Sequence, residues 1–177
     1  MQIVESVSEL MDIQKLLTRP LGLVPTMGAL HKGHLSLVEQ SLQDNDTTVV
    51  SIFINPSQFG ENEDLDKYPR ALEADLALIE DAGVDIVFIP NQTDIYPDNF
   101  QTWVYVEEKS SILEGASRPG HFRGVATIVA KLFNITRPDR AYFGQKDAQQ
   151  LNVIKTLNMD LNMGVEIIGL PTVREKD

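Results

Sequence analysis

Short apolar runs alternate along this chain with segments whose apolar residues recur every three or four positions. Compact runs rich in apolar and β-branched residues predict strands, whereas the wider spacing predicts helices with one apolar face. The predicted strands are 21–24, 47–54, 84–89, 101–106, 141–143 and 165–170, with 101–106 at a sheet edge. The helical patterns are Leu35 to Leu42, Leu72 to Ile79, Val125 to Leu132 and Leu151 to Leu161.

This alternation of strands and helices predicts one α/β domain, with a Rossmann-like parallel sheet and helices on both of its faces. In such sheets, ligands bind outside the carboxyl ends of the strands. The polar segments 25–34, 55–58 and 144–147 each follow a predicted strand. We therefore expect these three segments to meet in one crevice.

Composition narrows the choice of partner and compartment. The 177 residues include 26 acidic and 15 basic side chains, and the net charge of −11 disfavours a broad nucleic-acid surface. Cysteine is absent, which excludes disulfides and thiolate chemistry and fits a reducing compartment. No apolar stretch is long enough to span a bilayer, and residues 1–6 lack the pattern of a signal peptide. We expect a cytoplasmic protein without nucleic-acid or membrane partners.

The first polar segment, residues 25–34, contains two of the three histidines at the predicted start of a helix. His31 and His34 flank Gly33, and Gly28 lies nearer the preceding strand. A helix start offers unpaired N–H groups and partial positive charge, which suit a phosphate group. His-Lys-Gly-His alone would fit a simple helix cap equally well. Its position between a strand and a helix favours the phosphate site.

The other polar segments offer different ligand-binding groups. Asn55 and Gln58 present amides that pair with hydroxyls or a carboxylate, although a plain Asn-Pro turn is slightly favoured for this segment alone. Lys146 suits phosphate and Asp147 suits ribose hydroxyls or a magnesium shell, but a capping aspartate beside an exposed lysine is equally compatible. Residues 118–124, with two arginines and a histidine, form either an anion clamp or a loop that fastens the next helix.

Five motifs in order resemble those of the pantothenate synthetase (pantoate–β-alanine ligase) family. They are Pro-Thr-Met-Gly-Ala-Leu-His-x-Gly-His, Phe-x-Asn-Pro-x-Gln-Phe, Tyr-Pro-Arg at 68–70, Arg-Pro-x-His-Phe-x-Gly-Val and Gly-x-Lys-Asp-x-Gln-Gln. The resemblance extends over residues 21–173. Other nucleotidylyltransferases and class I aminoacyl-tRNA synthetases share the His-x-Gly-His element, so the ordered set is the more specific signal. The resemblance implies the fold of the HIGH-type nucleotidylyltransferase superfamily.

The resemblance implies an ATP-dependent ligase that forms a carbon–nitrogen bond in pantothenate biosynthesis. ATP and pantoate would give pantoyl adenylate and pyrophosphate, and β-alanine would then displace AMP. A homodimer and the use of Mg²⁺, whose ligands the residues do not identify, are expected as well. The alternatives are another nucleotidylyltransferase with the same motif, or a binding and dimerisation module without catalysis.

The resemblance also implies roles for individual residues. His34 would be the proton donor, with His31 and Lys146 as the other catalytic groups. The ATP site would comprise Met27, Gly28, Ala29, Leu30, His31, Lys32, Gly33, His34, Gly144, Gln145, Lys146, Asp147 and Val173. The pantoate and β-alanine site would comprise Pro25, Met27, Asn55, Gln58 and Gln150. An apolar wall for the gem-dimethyl carbon of pantoate would comprise Phe53, Ile128, Val129 and Phe143.

One departure from the family pattern is expected to affect activity. Members of the family continue into a Ser-Ser-Arg-Asn loop and a small C-terminal lid domain, which these 177 residues do not include. We expect residues 1–177 to form a single nucleotide- and pantoate-binding N-terminal domain with little or no turnover. The reason is that electrostatic stabilisation acts most strongly in a closed pocket from which water is excluded.

Overall fold

A parallel sheet forms the centre of the computed structural model, which describes residues 1–60, 63 and 65–174. Its strands are β1 (Gln2–Val4), β2 (Leu21–Thr26), β3 (Thr47–Ile52), β4 (Ile86–Phe88), β5 (Arg140–Gly144) and β6 (Glu166–Leu170). The helices are α1 (Val7–Ile13), α2 (Lys32–Asp44), α3 (Leu72–Asp81), α4 (Gln92–Ile95), α5 (Glu114–Ser117), α6 (His121–Thr136) and α7 (Ala148–Asp160). The strand order is β1-β4-β3-β2-β5-β6, and all neighbours are parallel.

Successive residues of the central strands join different apolar clusters, because side chains alternate across a sheet. One cluster contains Leu23, Val49, Ala141 and the apolar side of α6 and α7. The other contains Val24, Val50, Tyr142 and buried residues of α2 and α3. Helices therefore cover both faces, which confirms the predicted Rossmann-like α/β fold. Within the described residues, no helix combines the length and the apolar character needed to cross a bilayer.

Several short segments differ from the prediction: the helices α1, α4 and α5 and the strand β1 were not predicted, and one predicted strand is absent from the described residues. Residues 101–106, predicted as an edge strand, form no strand in the described structure. Val104 and Val106 are partly buried against the core, and the Val104 N–H donates to Thr127 Oγ1 of α6 over 3.0 Å. The alternation in this segment therefore reflects packing on a helix. Conversely, β1 was not predicted, because only Val4 of its three residues is buried and the pattern is too short to show.

The strand order creates a crevice beside β2. The chain passes from β2 to β3 and β4 on one side, and then returns to place β5 on the other side of β2. At such a switch point the connections leave in opposite directions, which opens a space above the strand ends. The predicted ligand segments follow β2, β3 and β5, so the topology positions all three at this edge.

Candidate active site

A cleft of about 400 Å³ opens at the carboxyl ends of β2 and β5. It is lined by residues from all three predicted polar segments and from the chain that follows β6. The predicted site residues in this lining are Pro25, Met27, His31, Gly33, His34, Asn55, Gln58, Gly144, Lys146, Asp147, Gln150 and Val173. The expected meeting of the three segments in one crevice is therefore confirmed.

The apolar part of the cleft lining contains every residue of the wall that the resemblance implies. These residues are Phe53, Ile128, Val129 and Phe143, all of them buried. They come from the end of β3, from α6 and from β5. Their packing in the core gives the cleft a fixed apolar surface beside its polar groups.

Five members of the expected ATP site are not among the residues that line the cleft: Gly28, Ala29, Leu30, Lys32 and Gln145. The Gln145 Nε2 group donates to the Gly169 carbonyl oxygen over 2.9 Å, which attaches this side chain to β6. The backbone N–H groups of Ala29 and Leu30 donate hydrogen bonds to the side chain of Asp75. Lys32 and Gln145 are exposed, and for all five residues a part in ATP binding stays a prediction.

The two histidines lie together where α2 begins. His31 is the N-cap, and its Nδ1 accepts a hydrogen bond from the Gly33 N–H over 3.1 Å. The ring of His34 lies 4.2 Å from that of His31, centroid to centroid. A Cβ at Gly33 would come within 2.9 Å of the His31 ring, so glycine permits this close arrangement. The cap interpretation is confirmed for His31, and both histidines also line the cleft, where a phosphate site stays a prediction.

His34 is neutral at physiological pH in the ligand-free chain. Burial, reinforced by the neighbouring His31, lowers its pKa from 6.5 to about 4, against the opposing effect of Asp75 and Asp147. Its Nδ1 atom is buried and has no hydrogen-bond partner in the described residues. The imidazolium is thus not the resting form of His34. A neutral imidazole can still donate one N–H hydrogen bond.

A buried carboxylate that the sequence analysis missed holds the loop before α2. Asp75, in the first turn of α3, accepts hydrogen bonds from the N–H groups of Ala29 (2.8 Å) and Leu30 (2.7 Å). Gly28 and Ala29 both have positive φ angles, 83° and 52°. No local signal marks Asp75, because its partners lie 45 and 46 residues earlier in the chain.

Asn55 positions the second ligand segment. Its side chain is buried, and its Nδ2 donates to Gln58 Oε1 (3.0 Å) and to the Gly124 carbonyl oxygen (3.2 Å). Its Oδ1 accepts from the Tyr96 hydroxyl (2.9 Å), and the Tyr96 ring stacks on that of Trp103. Since Gln58 Oε1 is bonded to Asn55, a ligand would meet the –NH2 donors of Gln58.

The third segment presents a cation and a carboxylate side by side. After β5 the chain forms a 3-10 turn over Gln145–Asp147 before α7 begins. Lys146 is exposed, with its Nζ 3.3 Å from Asp147 Oδ1. Asp147 makes no side-chain hydrogen bond to the first turn of α7, so the capping alternative is not what the structure shows. Both charged groups are therefore available to a ligand in the cleft.

Residues 118–124 fasten α6 to its surroundings. Arg118 pairs with Glu63 and Glu114, and its hydrogen bond lowers the pKa of Glu63 to about 2. The Nδ1–H of His121 donates to the Gln58 carbonyl oxygen over 2.9 Å. Arg123 lies over the Trp103 ring instead of near Arg118. The two guanidinium groups do not converge, and the structure favours the fastening loop over the anion clamp.

The comparisons with known proteins agree with this geometry. The sequence profile described as Pantoate-beta-alanine ligase matches residues 2–177. Among curated relatives, the pantothenate synthetase of Acetivibrio thermocellus is 62% identical over 100% of this chain and 64% of its own length. That of Thermosipho africanus is 54% identical, with 100% and 65% covered. This chain therefore spans about 64% of the length of the first of these relatives.

Solved structures show the same fold. A pantothenate synthetase of Thermus thermophilus matches with a TM-score of 0.95 and 52% identity, over 99% of this chain and 63% of that one. A pantoate-beta-alanine ligase from Francisella tularensis, complexed with beta-gamma ATP and beta-alanine, has a TM-score of 0.95 and 42% identity. The match covers 99% of this chain and 68% of that structure.

Proposed function

This chain belongs to the pantoate–β-alanine ligase family, and from that premise we propose that it acts in the ATP-dependent condensation of pantoate with β-alanine. Residues 1–177 would form its single nucleotide- and pantoate-binding domain. The observation that supports this most strongly is the meeting of the histidine pair, Gln58, Gln150 and Lys146 with an apolar surface in one cleft. A small branched hydroxy acid and a triphosphate need this combination of groups.

The first step would join pantoate to the α-phosphate of ATP. The pantoate carboxylate oxygen forms a bond to the α-phosphorus while the bond to the β-phosphate oxygen breaks and pyrophosphate leaves. The carboxylate is already ionised at neutral pH, so this step needs positioning and charge neutralisation instead of a general base. Gln58 and Gln150 would hold pantoate, with Pro25 and Met27 beside them.

ATP would lie along the rim formed by α2 and the turn after β5. His31, His34 and Lys146 would contact the phosphates, and Gly144, Asp147 and Val173 would contact the remainder of the nucleotide. We assign His34 the role of hydrogen-bond donor to the leaving pyrophosphate, in its neutral form because of its low pKa. In the second step, the β-alanine nitrogen bonds to the acyl carbon of the adenylate and AMP leaves.

A magnesium ion fits this site as a companion of the nucleotide. Among the residues that the structure describes, Asp147 is the one carboxylate in the cleft lining, and there is no group of three or more metal-ligating side chains. Mg²⁺ is commonly held by one or two carboxylates together with substrate phosphates. Asp147 would hold such an ion, which would neutralise phosphate charge when bound. With ATP as the substrate, we place the reaction in the cytoplasm.

Pantoate-dependent exchange of labelled pyrophosphate into ATP tests the proposed function. In a form of the protein that also carries the family's lid domain, exchange is expected with pantoate and not without it, whereas residues 1–177 alone are expected to show little or none. Gln58→Ala and Gln150→Ala are expected to reduce it about tenfold to a hundredfold, the loss expected for hydrogen bonds to a charged group. The exposed Gln43, changed to alanine, is the control and should retain full exchange.

Each contrary result of the exchange experiment has its own meaning. Exchange that does not depend on pantoate but depends on another acceptor of the adenylyl group would favour a related nucleotidylyltransferase. Binding of ATP and pantoate by calorimetry without any exchange would favour a binding module. Unchanged exchange in both glutamine variants would contradict the proposed pantoate site.

We further propose that two copies associate through the segment 101–106. Its backbone pairs with no strand of the described structure, and Trp103 and Tyr105 are 41% and 53% exposed. An extended segment with exposed aromatic rings suits pairing with an identical segment. Sedimentation velocity at micromolar concentration is expected to show a dimer, and Tyr105→Glu a monomer. The control is Leu16→Glu at another exposed apolar residue, and a monomeric unsubstituted protein would refute the proposal.

A further inference from the structure

Asp75 occupies a position that usually suits an external anion. Gly28 and Ala29 both have left-handed backbone conformations, and two successive N–H groups, of Ala29 and Leu30, point to one place. Successive N–H groups in such a loop form a concave anion-binding nest. Here the two oxygens of a buried side-chain carboxylate fill the nest, at 2.8 and 2.7 Å.

The contacts around this carboxylate leave little freedom. Asp75 is only 2% exposed, and a Cβ at Gly28 would lie 3.0 Å from its Oδ2. The Gly28 N–H is itself held by Thr26 Oγ1 over 3.2 Å. The loop between β2 and α2 is therefore tied to its own strand at one end and to α3 at the other.

The charge of Asp75 also reaches the catalytic candidates. It opposes the lowering of the His34 pKa, and it raises the pKa of the Tyr68 phenol in addition to the effect of burial. Both side chains line the cleft, whereas Asp75 does not. Asp75 thus acts on the site without contacting a ligand in it.

We propose that Asp75 is a positioning residue, an internal anion that fixes the loop before α2 so that His31 and His34 meet the ATP phosphates. This inference rests on the proposed ATP site. It also explains why Gly28, Ala29 and Leu30 are not in the cleft lining: the N–H groups of Ala29 and Leu30 bind Asp75, Gly28 leaves room for its carboxylate, and phosphate is left to the groups that follow them.

Asp75→Asn tests the proposal. The asparagine side chain has the size of the aspartate side chain, but its –NH2 group faces the N–H donor of either Ala29 or Leu30 and cannot accept a hydrogen bond from it. ATP binding, measured by calorimetry, is expected to weaken on the order of tenfold, the cost of losing one hydrogen bond to a charged group. Pantoate binding is expected to stay within about twofold, since Gln58 and Gln150, the side chains proposed to hold pantoate, lie on other segments. Glu73→Gln is the matched control, an exposed acid in the same turn of α3.

A purely structural role would weaken ATP and pantoate binding together and would contradict the proposal, as would unchanged ATP binding in folded Asp75→Asn. Hydrogen exchange in the unsubstituted protein provides a test independent of any variant: the Ala29 and Leu30 amides are expected to be protected, and rapid exchange would overturn the proposal. If the unsubstituted protein binds no ATP, the proposed function is wrong. Protection of the two amides would still support the inference that Asp75 fixes this loop as an internal anion.

Discussion

Replacing His34 with alanine in the lid-bearing form of the protein is expected to slow pantoate-dependent pyrophosphate exchange by a factor on the order of 10² to 10³, as for the loss of one transition-state hydrogen-bond donor. The ring lies beside that of His31, in a cleft whose lining also includes Lys146. Glu39→Ala is the control, since Glu39 is exposed on the same helix and does not line the cleft. An unchanged rate in His34→Ala would reduce His34 to a residue that merely packs at the helix start.

The charge state of His34 can be measured separately, by NMR titration of its imidazole ring. The midpoint, which reports the pKa, is expected near pH 4 in the ligand-free protein, well below the ordinary value of 6.5. The unfolded chain then binds this proton more readily than the folded chain between these two values. The protonation of His34 therefore does not affect the free energy of unfolding above pH 6.5. As the pH drops from 6.5 towards 4, this free energy falls. His34→Gln should flatten this dependence, and a midpoint near 6.5 would contradict the effect of burial.

Gly124→Ala is expected to have the second large effect, on both stability and pantoate binding. A Cβ at this position in α6 would contact the backbone of Ser57 and lie 2.6 Å from Gln58 N. Backbone cannot rotate away from such a clash, so the turn that presents Gln58 must move. We expect a loss of about 1–3 kcal/mol in the free energy of unfolding, typical of overpacking, measured by urea titration.

Pantoate affinity is expected to fall on the order of tenfold in the same variant, since small displacements of binding groups are costly. Gly60→Ala provides the control, because a Cβ there meets nothing within 4 Å. Wild-type affinity and stability in Gly124→Ala would show that the contact between α6 and the Pro56–Gln58 turn is looser than the structure indicates.

The parts of the fold and site that the sequence predicts are those set by neighbours along the chain. The helix over Val125 to Leu132 and the strand from Thr47 follow from local periodicity and from β-branched residues. The histidine motif was recognisable because a strand and a helix flank it directly. The meeting of the three segments followed from a rule about parallel sheets, which applies once the alternation is known.

The features that escaped prediction depend on partners distant in the chain. Asp75 resembles any acidic residue near a helix start, and only the folded chain brings it to Ala29 and Leu30. Residues 101–106 alternate like a strand, yet α6 provides the surface on which they pack. Asn55, predicted as part of the pantoate site, lines the cleft, and the structure adds that its side-chain amide holds Gln58 and Gly124. Local pattern alone does not distinguish a binding amide from a supporting one.

The stacking of Trp103 on Tyr96 makes the protein its own optical probe. Trp103 is the single tryptophan, its ring centroid is 5.8 Å from that of Tyr96, and the Tyr96 hydroxyl bonds to Asn55 beside Gln58. Intrinsic tryptophan fluorescence thus comes from a single residue. The side chains of Tyr96 and Asn55 connect that residue to Gln58, which is proposed to hold pantoate. Occupancy of the cleft can be followed by fluorescence without a label or an engineered chromophore.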